Sequence, residues 1–375
     1  MKKAIIVAQS GVGGSDPQIV YLANSLAVIN FEVHLLQCIH PKASIFPAGF
    51  LDSSVKVESF YPKIPMWSKA GFSEFSHFSA KRQTELKADY IFSFDYAGVL
   101  TASLSNEIAP NTFTSCIFML ENIDYMIKSH GMGALDVLTS IWEKSIIVYP
   151  EVNRLNLDVS SYVNKLPVNE RLFIISPTSP ISSDEQSNKS TLNDDVYRFI
   201  YAGSIVEESF AIEFGHCLKA SGLNYVYDLY GVVGPNYGDH LNLMINESSG
   251  KVTHNGIVDQ SRLNEIYGNY DYSFTGWKPV SSNYYFACPN KFFQTIKNRV
   301  IPITLDHPII HNVIDFFDIY SLQLSWDQNL WADSLKKSIK LKDELTKLGD
   351  SNYEIFCKEL SWQVQFESFR KSLKL

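Results

Sequence analysis

Cysteine is scarce in this 375-residue chain: there are five, Cys38, Cys116, Cys217, Cys288 and Cys357, far apart and without one C-x-x-C pair. That spacing excludes a disulfide framework and a zinc site, and it suits a reducing compartment. Positive charge is also short, with 32 Lys and Arg against 40 Asp and Glu and a net charge of −8. A nucleic-acid partner requires a basic face to neutralise phosphates, which this balance does not supply, so an anionic ligand would have to be met by local charge. No stretch approaches the roughly eighteen consecutive apolar residues of a membrane span. The opening MKKAIIVAQSGVGG is apolar only from Ala4 to Ala8 before Gln9 and the glycines intervene, which reads as a strand and not a signal peptide. The expectation is a soluble cytoplasmic protein.

What is present is an ordinary globular composition, and the length favours two domains of roughly 150–200 residues each. AIIVAQ is a short apolar strand, SGVGGSD a glycine-rich turn, Asp16 and Pro17 a helix start, and FEVHLLQ a second strand after the helix ends near Leu26. This is a β-loop-α-β unit. A dinucleotide site would need an acidic residue at the end of the second strand, where Gln37 and Cys38 stand, and the glycines lack full G-x-G-x-x-G spacing, so a nicotinamide cofactor is disfavoured. Gly13 and Gly14 would let backbone approach a ligand, or simply make a tight turn.

Further along, ADYIFSFD, TSCIFML and SIIVYP are apolar strands, with a helical segment around Gly98 to Glu107 between the first two. Open α/β sheets place ligands at the carboxyl ends of their strands, which makes Asp95, Glu121 and Glu151 or Arg154 candidates for holding a second substrate. Caps and surface charges are the competing explanation for each. Between Ser44 and Arg82 the chain is irregular and aromatic, with Phe60, Tyr61, Trp67, Phe72, Phe75 and Phe78 among Lys63, Lys69, Lys81 and Arg82. It reads as a core-packing insertion because no clean helical face separates apolar from basic residues, and a membrane-facing surface is the alternative. SPTSPISSDEQSNKSTLNDD, rich in Ser, Pro, Asn and Asp, reads as an interdomain linker. Strand, helix, strand then repeats: VYRFIYAGSI, a helix from about Ser209 to Lys219, YVYDLYGVVGP with Gly231 and Gly234, HLNLMINES, and KVTHNGIV with a turn at Gly256. Near the end, NLWADSLKKSIKLKDELTKL has the spacing of one amphipathic helix, and Trp362, Phe366, Phe369 and Leu373 form a later apolar stripe.

The most informative stretch is YSFTGWKPVSSNYYFACPNKFFQTIKNRVIPIT, from Tyr272 to Thr304. Pro289 suits the first turn of a helix and Asn290 suits its cap. Lys291 adds a mobile cation beside the positive end of the helix dipole, a combination that favours phosphate or another anion. PNKFFQTIKNRVIPIT resembles the donor-binding segment of the GT-B glycosyltransferases of family 4, a Pro-x-Lys-φ-φ-Glu helix followed by a small turn and Pro-Val-Ile. VTHNGIVDQSRLNEIYGNYDYSF resembles that family's Gly-x-Val loop, helix and buried strand, FIYAGSI the strand opening its second domain, and LSWQVQFESFRKSL its closing Ser-Trp helix. The likeness covers most of residues 197–375, and the N-terminal half agrees in layout.

The resemblance implies an α/β GT-B fold, two Rossmann-like domains facing a cleft with a C-terminal helix crossing back to the first. The boundaries would be 1–176 for an acceptor domain, 177–195 for a linker, 196–355 for a nucleotide-sugar domain and 356–375 for the returning helix. It implies transfer of a sugar from a nucleotide-sugar donor, UDP- or GDP-linked, to a hydroxyl of a surface glycan such as lipopolysaccharide or capsule, with retention and without metal or other cofactor. A glycan or lipid-linked glycan acceptor would bring peripheral contact with the inner membrane. Donor-binding residues would be Gly13, Gly14, Gly203, Ser204, Gly231, Gly256, Ile257, Val258, Asn283, Pro289, Asn290, Lys291 and Gln294. Lys291 and Lys278 would face the leaving diphosphate, Asp95 or Glu121 would serve if a general base were needed, and Asp95, Glu121 and Arg154 would hold the acceptor. Departures stand beside these matches. Gly203 is followed by Ser204, Ile205, Val206, Glu207 and Glu208 where the family has Arg and Lys, the family's two glutamates would fall on Phe286 and Gln294, and Ser176 replaces an asparagine. A catalytically silent GT-B protein that binds glycan or a partner is the second expectation.

Overall fold

The short apolar runs become parallel strands in two sheets of a computed structural model. The structure describes residues 1–8, 17–38, 51–63, 69–120, 122–176, 178–181, 195–258, 260–287 and 289–373, with backbone alone at 69, 260, 261 and 283. These residues belong to two units, Met1–Ser176 with Gln365–Leu375, and Pro177–Val364.

The first unit holds strands β1 (Lys3–Ala8), β2 (Glu32–Cys38), β3 (Lys56–Phe60), β4 (Tyr90–Phe94), β5 (Thr114–Phe118), β6 (Ile146–Tyr149) and β7 (Leu172–Ile174). Their order is β3-β2-β1-β4-β5-β6-β7, and each neighbouring pair is parallel. Ala4 to Ala8 are fully buried, as expected of a central strand covered on both faces. The second unit holds β8 (Tyr197–Ala202), β9 (Tyr225–Tyr230), β10 (Val252–His254), β11 (Tyr272–Phe274), β12 (Ile301–Leu305) and β13 (Leu322–Leu324), in the order β10-β9-β8-β11-β12-β13 and again parallel. Aromatic rings fill its core: Phe214 stacks on Phe274 with centroids 4.3 Å apart, and Phe199 on Tyr272 at 5.4 Å. Among the described residues no helix is long and apolar enough to cross a membrane.

Three local expectations are corrected. The aromatic stretch contains a strand, β3, and an 18-residue helix, Lys69–Leu86. Its buried positions include Ser76, Ser79, Ala80 and Gln83 as well as Phe72 and Phe75, so polarity does not mark the inward face. Phe60, Phe75 and Phe78 cluster with centroids 5.0 to 6.4 Å apart, and Arg82 pairs with Glu58 at 2.7 Å. Trp67 and the start of the stretch lie outside the described residues, as does most of the Ser-rich linker. The amphipathic run near the C-terminus forms two helices, Trp331–Ser338 and Lys342–Ile355, because Ile339 and Leu341 are extended and the Lys340 amide donates to the Tyr272 hydroxyl at 3.0 Å. Finally, Asp95 opens the helix Asp95–Ile108 directly, with no loop after β4.

Candidate functional site

In the second sheet β8 lies between β9 and β11, so the connections leaving the carboxyl ends of β8 and β11 diverge. Ligands of open parallel sheets bind in the crevice at such a switch point. The glycines of the strand ends are built around one another. Gly231 has φ +134°, and a Cβ there would lie 1.9 Å from the Gly203 carbonyl oxygen. The Gly203 amide donates to the Tyr230 carbonyl at 2.9 Å and the Gly231 amide to the Gly256 carbonyl at 2.8 Å. His254 Nε2 reaches the Gly231 carbonyl at 3.0 Å. Gly256, with φ +72°, makes its turn with open space where a side chain would be.

The helix Asn290–Lys297 follows, its Phe292, Phe293 and Ile296 fully buried. Pro289 occupies the cap and Asn290 is the first helical residue, which corrects the expected capping role of Asn290. Proline has no side-chain acceptor, so no side chain caps this first turn, and its amides keep their attraction for an anion. The Lys291 ammonium donates to the Tyr201 hydroxyl at 3.3 Å and lies 4.5 Å from the centre of that ring.

Gly203, Ser204, Trp277, Pro289, Asn290 and Lys291 line a cavity of about 360 Å³ together with Tyr201 and Tyr284. Trp277 forms one wall, its indole N–H donating to the Tyr284 carbonyl at 2.7 Å. The buried His307 ring stacks on it, centroids 3.7 Å apart and planes 15° apart. Burial pushes the His307 imidazole down to about 4, against its backbone hydrogen bonds and with help from the Lys291 charge. His307 is therefore neutral near pH 7. Since Nε2 lies 3.0 Å from the Trp277 carbonyl, which can only accept, that nitrogen carries the proton.

Other expected donor residues lie elsewhere. The buried Gln294 donates its amide to Asn264 Oδ1 at 3.2 Å. Lys278 pairs with Glu207 at 3.1 Å and Glu213 at 3.7 Å, and lines a neighbouring cavity of about 770 Å³ with Glu207, Glu208, Glu213, His216 and His240. Its charge is thus already balanced by carboxylates. Ile257 is exposed, while Val258 packs against the apolar cluster around Tyr267. Asn283 sits in the short helix Ser282–Tyr285, where only its backbone is described.

In the first unit, Asp95 is buried with φ +47° at the carboxyl end of β4. Arg154 is buried and donates from its guanidinium to the Leu120 carbonyl, while its amide donates to Glu151, which caps the helix Val152–Ser161. Asp158 accepts from the Ile123 amide at 3.1 Å and from the Tyr149 hydroxyl at 3.0 Å. Burial pushes both the Glu151 and Asp158 carboxyls up to about 7, outweighing the hydrogen bonds and the Arg154 charge that favour ionisation. Gly13, Gly14 and Glu121 lie outside the described residues. The structure therefore gathers Gly203, Ser204, Pro289, Asn290 and Lys291 at one cavity, backs them with Gly231 and Gly256, and adds Tyr201, Trp277 and His307, whose roles sequence reasoning did not pick out. Trp277 and Tyr201 stand in quoted motifs, the Gly-Trp-Lys-Pro turn and FIYAGSI; His307 carries no sequence signal.

No family profile matches the chain, and neither does any curated protein. Solved structures do. Anabaena Alr3699/HepE in complex with UDP and glucose aligns over 100% of both chains with a TM-score of 0.73 and 10% identity. A glycosyltransferase from Rickettsia africae gives a TM-score of 0.71 at 11% identity, over 100% of this chain and 99% of that one. WaaG, a glycosyltransferase involved in lipopolysaccharide biosynthesis, gives 0.70 at 11% identity over 98% of each. At these identities the likeness establishes the fold: the protein has the two-sheet α/β architecture of the GT-B glycosyltransferases.

Proposed function

We propose that the protein is a glycosyltransferase that moves a sugar from a nucleoside diphosphate donor to a hydroxyl of a surface glycan, at the cytoplasmic face where a lipid-linked acceptor would be presented. The observation that carries this reading is Lys291 at an uncapped helix start, opening onto a cavity at the switch point of the second sheet. Glycosyl transfer needs charge stabilisation where the diphosphate departs, and fixed donors in a partly dry site supply it at little reorganisation cost. The helix amides and the Lys291 ammonium are such donors. HepE, of the same fold, is in complex with UDP and glucose, and WaaG acts in lipopolysaccharide biosynthesis.

Retaining, metal-independent transfer follows from the resemblance to family 4. In that mechanism the departing phosphate takes the acceptor proton, and the protein's part is to position both substrates and stabilise charge. Asp95, buried at the end of β4, is the candidate base if the reaction inverts.

A silent sugar- or partner-binding protein is the second reading. It is favoured by Ser204 at a position where the family has a cation, by the pairing of Lys278 with Glu207 and Glu213, and by the Gln294 amide spent on Asn264. The two are separated by incubating the protein with UDP-, GDP-, dTDP- and CMP-sugars while following thermal stability and release of free sugar. The transferase is expected to be stabilised by at least one nucleotide and to hydrolyse its sugar conjugate slowly. A protein that does neither is not a transferase.

A further inference from the structure

What aims the one cation among the described residues lining the cavity is visible in the strand beneath it. Tyr201, near the end of β8, is 1% exposed. Its hydroxyl donates to the Ser204 carbonyl at 2.9 Å, which turns the oxygen lone pairs toward the Lys291 ammonium at 3.3 Å. The same ammonium lies over the ring, 4.5 Å from its centre. A lysine side chain is a flexible stem carrying a point charge, and fixing it costs rotamer entropy that a preorganised partner offsets in advance. Gly203 makes the arrangement possible: at φ +152° it turns the chain so that Ser204 meets the phenol, and a Cβ there would come within 3.2 Å of the hydroxyl oxygen. Glu207 and Glu213 pair with Lys278, Glu208 lines the cavity alongside Lys291, and the Lys291 ammonium rests on the phenol.

We propose that Tyr201 is a positioning residue for Lys291, holding its ammonium toward the cavity by ring face and hydroxyl together, so that one fixed cation serves where Ser204 leaves a second one missing. The inference rests on the donor reading of the cavity. It makes the affinity for the diphosphate, and not for the nucleoside, depend on a phenol that the ligand need not touch.

The test compares UDP with uridine by calorimetric titration into wild type, Tyr201→Phe, Lys291→Ala and the double variant. Tyr201→Phe keeps the ring and removes both hydrogen bonds. UDP affinity is expected to fall about three- to tenfold while uridine affinity stays within about twofold. Added to Lys291→Ala, the same substitution is expected to change UDP affinity by less than about twofold, because the group it positions is gone. Equal losses for UDP and uridine, an undiminished effect in the Lys291→Ala background, or unchanged UDP affinity in Tyr201→Phe would each overturn the proposal. Wild-type protein that binds no UDP overturns the donor reading itself, and with it the role of Tyr201. Normal UDP binding with no response to Lys291→Ala assigns the diphosphate to other groups and also removes that role.

Discussion

A methyl group at position 231 would sit 1.9 Å from the Gly203 carbonyl oxygen, in a backbone conformation of φ +134° that side-chain-bearing residues rarely adopt. Both faults fall on the hydrogen-bonded strand ends that carry Gly203 and Gly256. Gly231→Ala is therefore expected to destabilise the second unit by about 3 kcal/mol or more, read as a lowered unfolding midpoint in urea. Gly256→Ala has only its φ of +72° to overcome, with open space around it, and is expected to cost about 1 kcal/mol. If the two variants lose equal stability, the close approach of the strand ends is not what demands glycine at 231. At this scale sequence reading singled out the glycines and Lys291 but could not see what they touch. Tyr201 under Lys291, His307 against Trp277 and Asn264 against Gln294 are contacts between residues far apart in the chain, and no local pattern encodes them.

The helix Val152–Ser161 shows what an element does with charge it cannot expose. Glu151 caps it and Asp158 receives the Ile123 amide and the Tyr149 hydroxyl, and burial pushes both carboxyls up to about 7 from ordinary values of 4.5 and 3.8. Between the ordinary and the raised values the folded chain holds protons that the unfolded chain has released. The contribution of these groups to stability is complete at acid pH and is lost as pH rises toward about 7, then flat above. The midpoint of the first unit is expected to fall between about pH 5 and 7, and Asp158→Asn to remove about half of that fall. An unchanged slope in the variant would mean that Asp158 is already ionised in the folded protein. Legibility of elements follows the same physics. The helix Asn290–Lys297 was readable from the Pro289-Asn290 start and the motif resemblance, and its Phe292, Phe293 and Ile296 are indeed buried together. The helix Lys69–Leu86 was not, since its inward positions mix Ser and Gln with Phe. The break at 339–341 depends on the Tyr272 hydroxyl, which local periodicity does not register.

Over the whole molecule, the alternation of strands and helices was legible from apolar runs and turns, the two-sheet GT-B architecture from the family resemblance, and the closing helix from its aromatic stripe; the strand order within each sheet was not. That helix, Trp362–Leu373, belongs to the second unit up to Val364 and to the first from Gln365 onward. Gln363 bonds the Ile181 backbone, and Gln365 accepts from the Ser176 amide at 2.6 Å. Phe369 is 2% exposed and meets Phe173 edge-on at 5.6 Å and Phe118 at 6.1 Å. Phe369→Ala is expected to cost the first unit about 3–5 kcal/mol. Calorimetric unfolding checks it. The transition of the first unit should drop while that of the second holds, and a uniform small shift would mean that the stripe is not core.

Function as a transferase requires the start of the helix Asn290–Lys297 to grip the diphosphate of an activated sugar. Titrating UDP calorimetrically into wild-type and Lys291→Ala protein tests this most directly. Saturable one-to-one binding to the wild type, weakened about tenfold or more in the variant at unchanged thermal stability, is the predicted result. Equal affinity in the two proteins would contradict it.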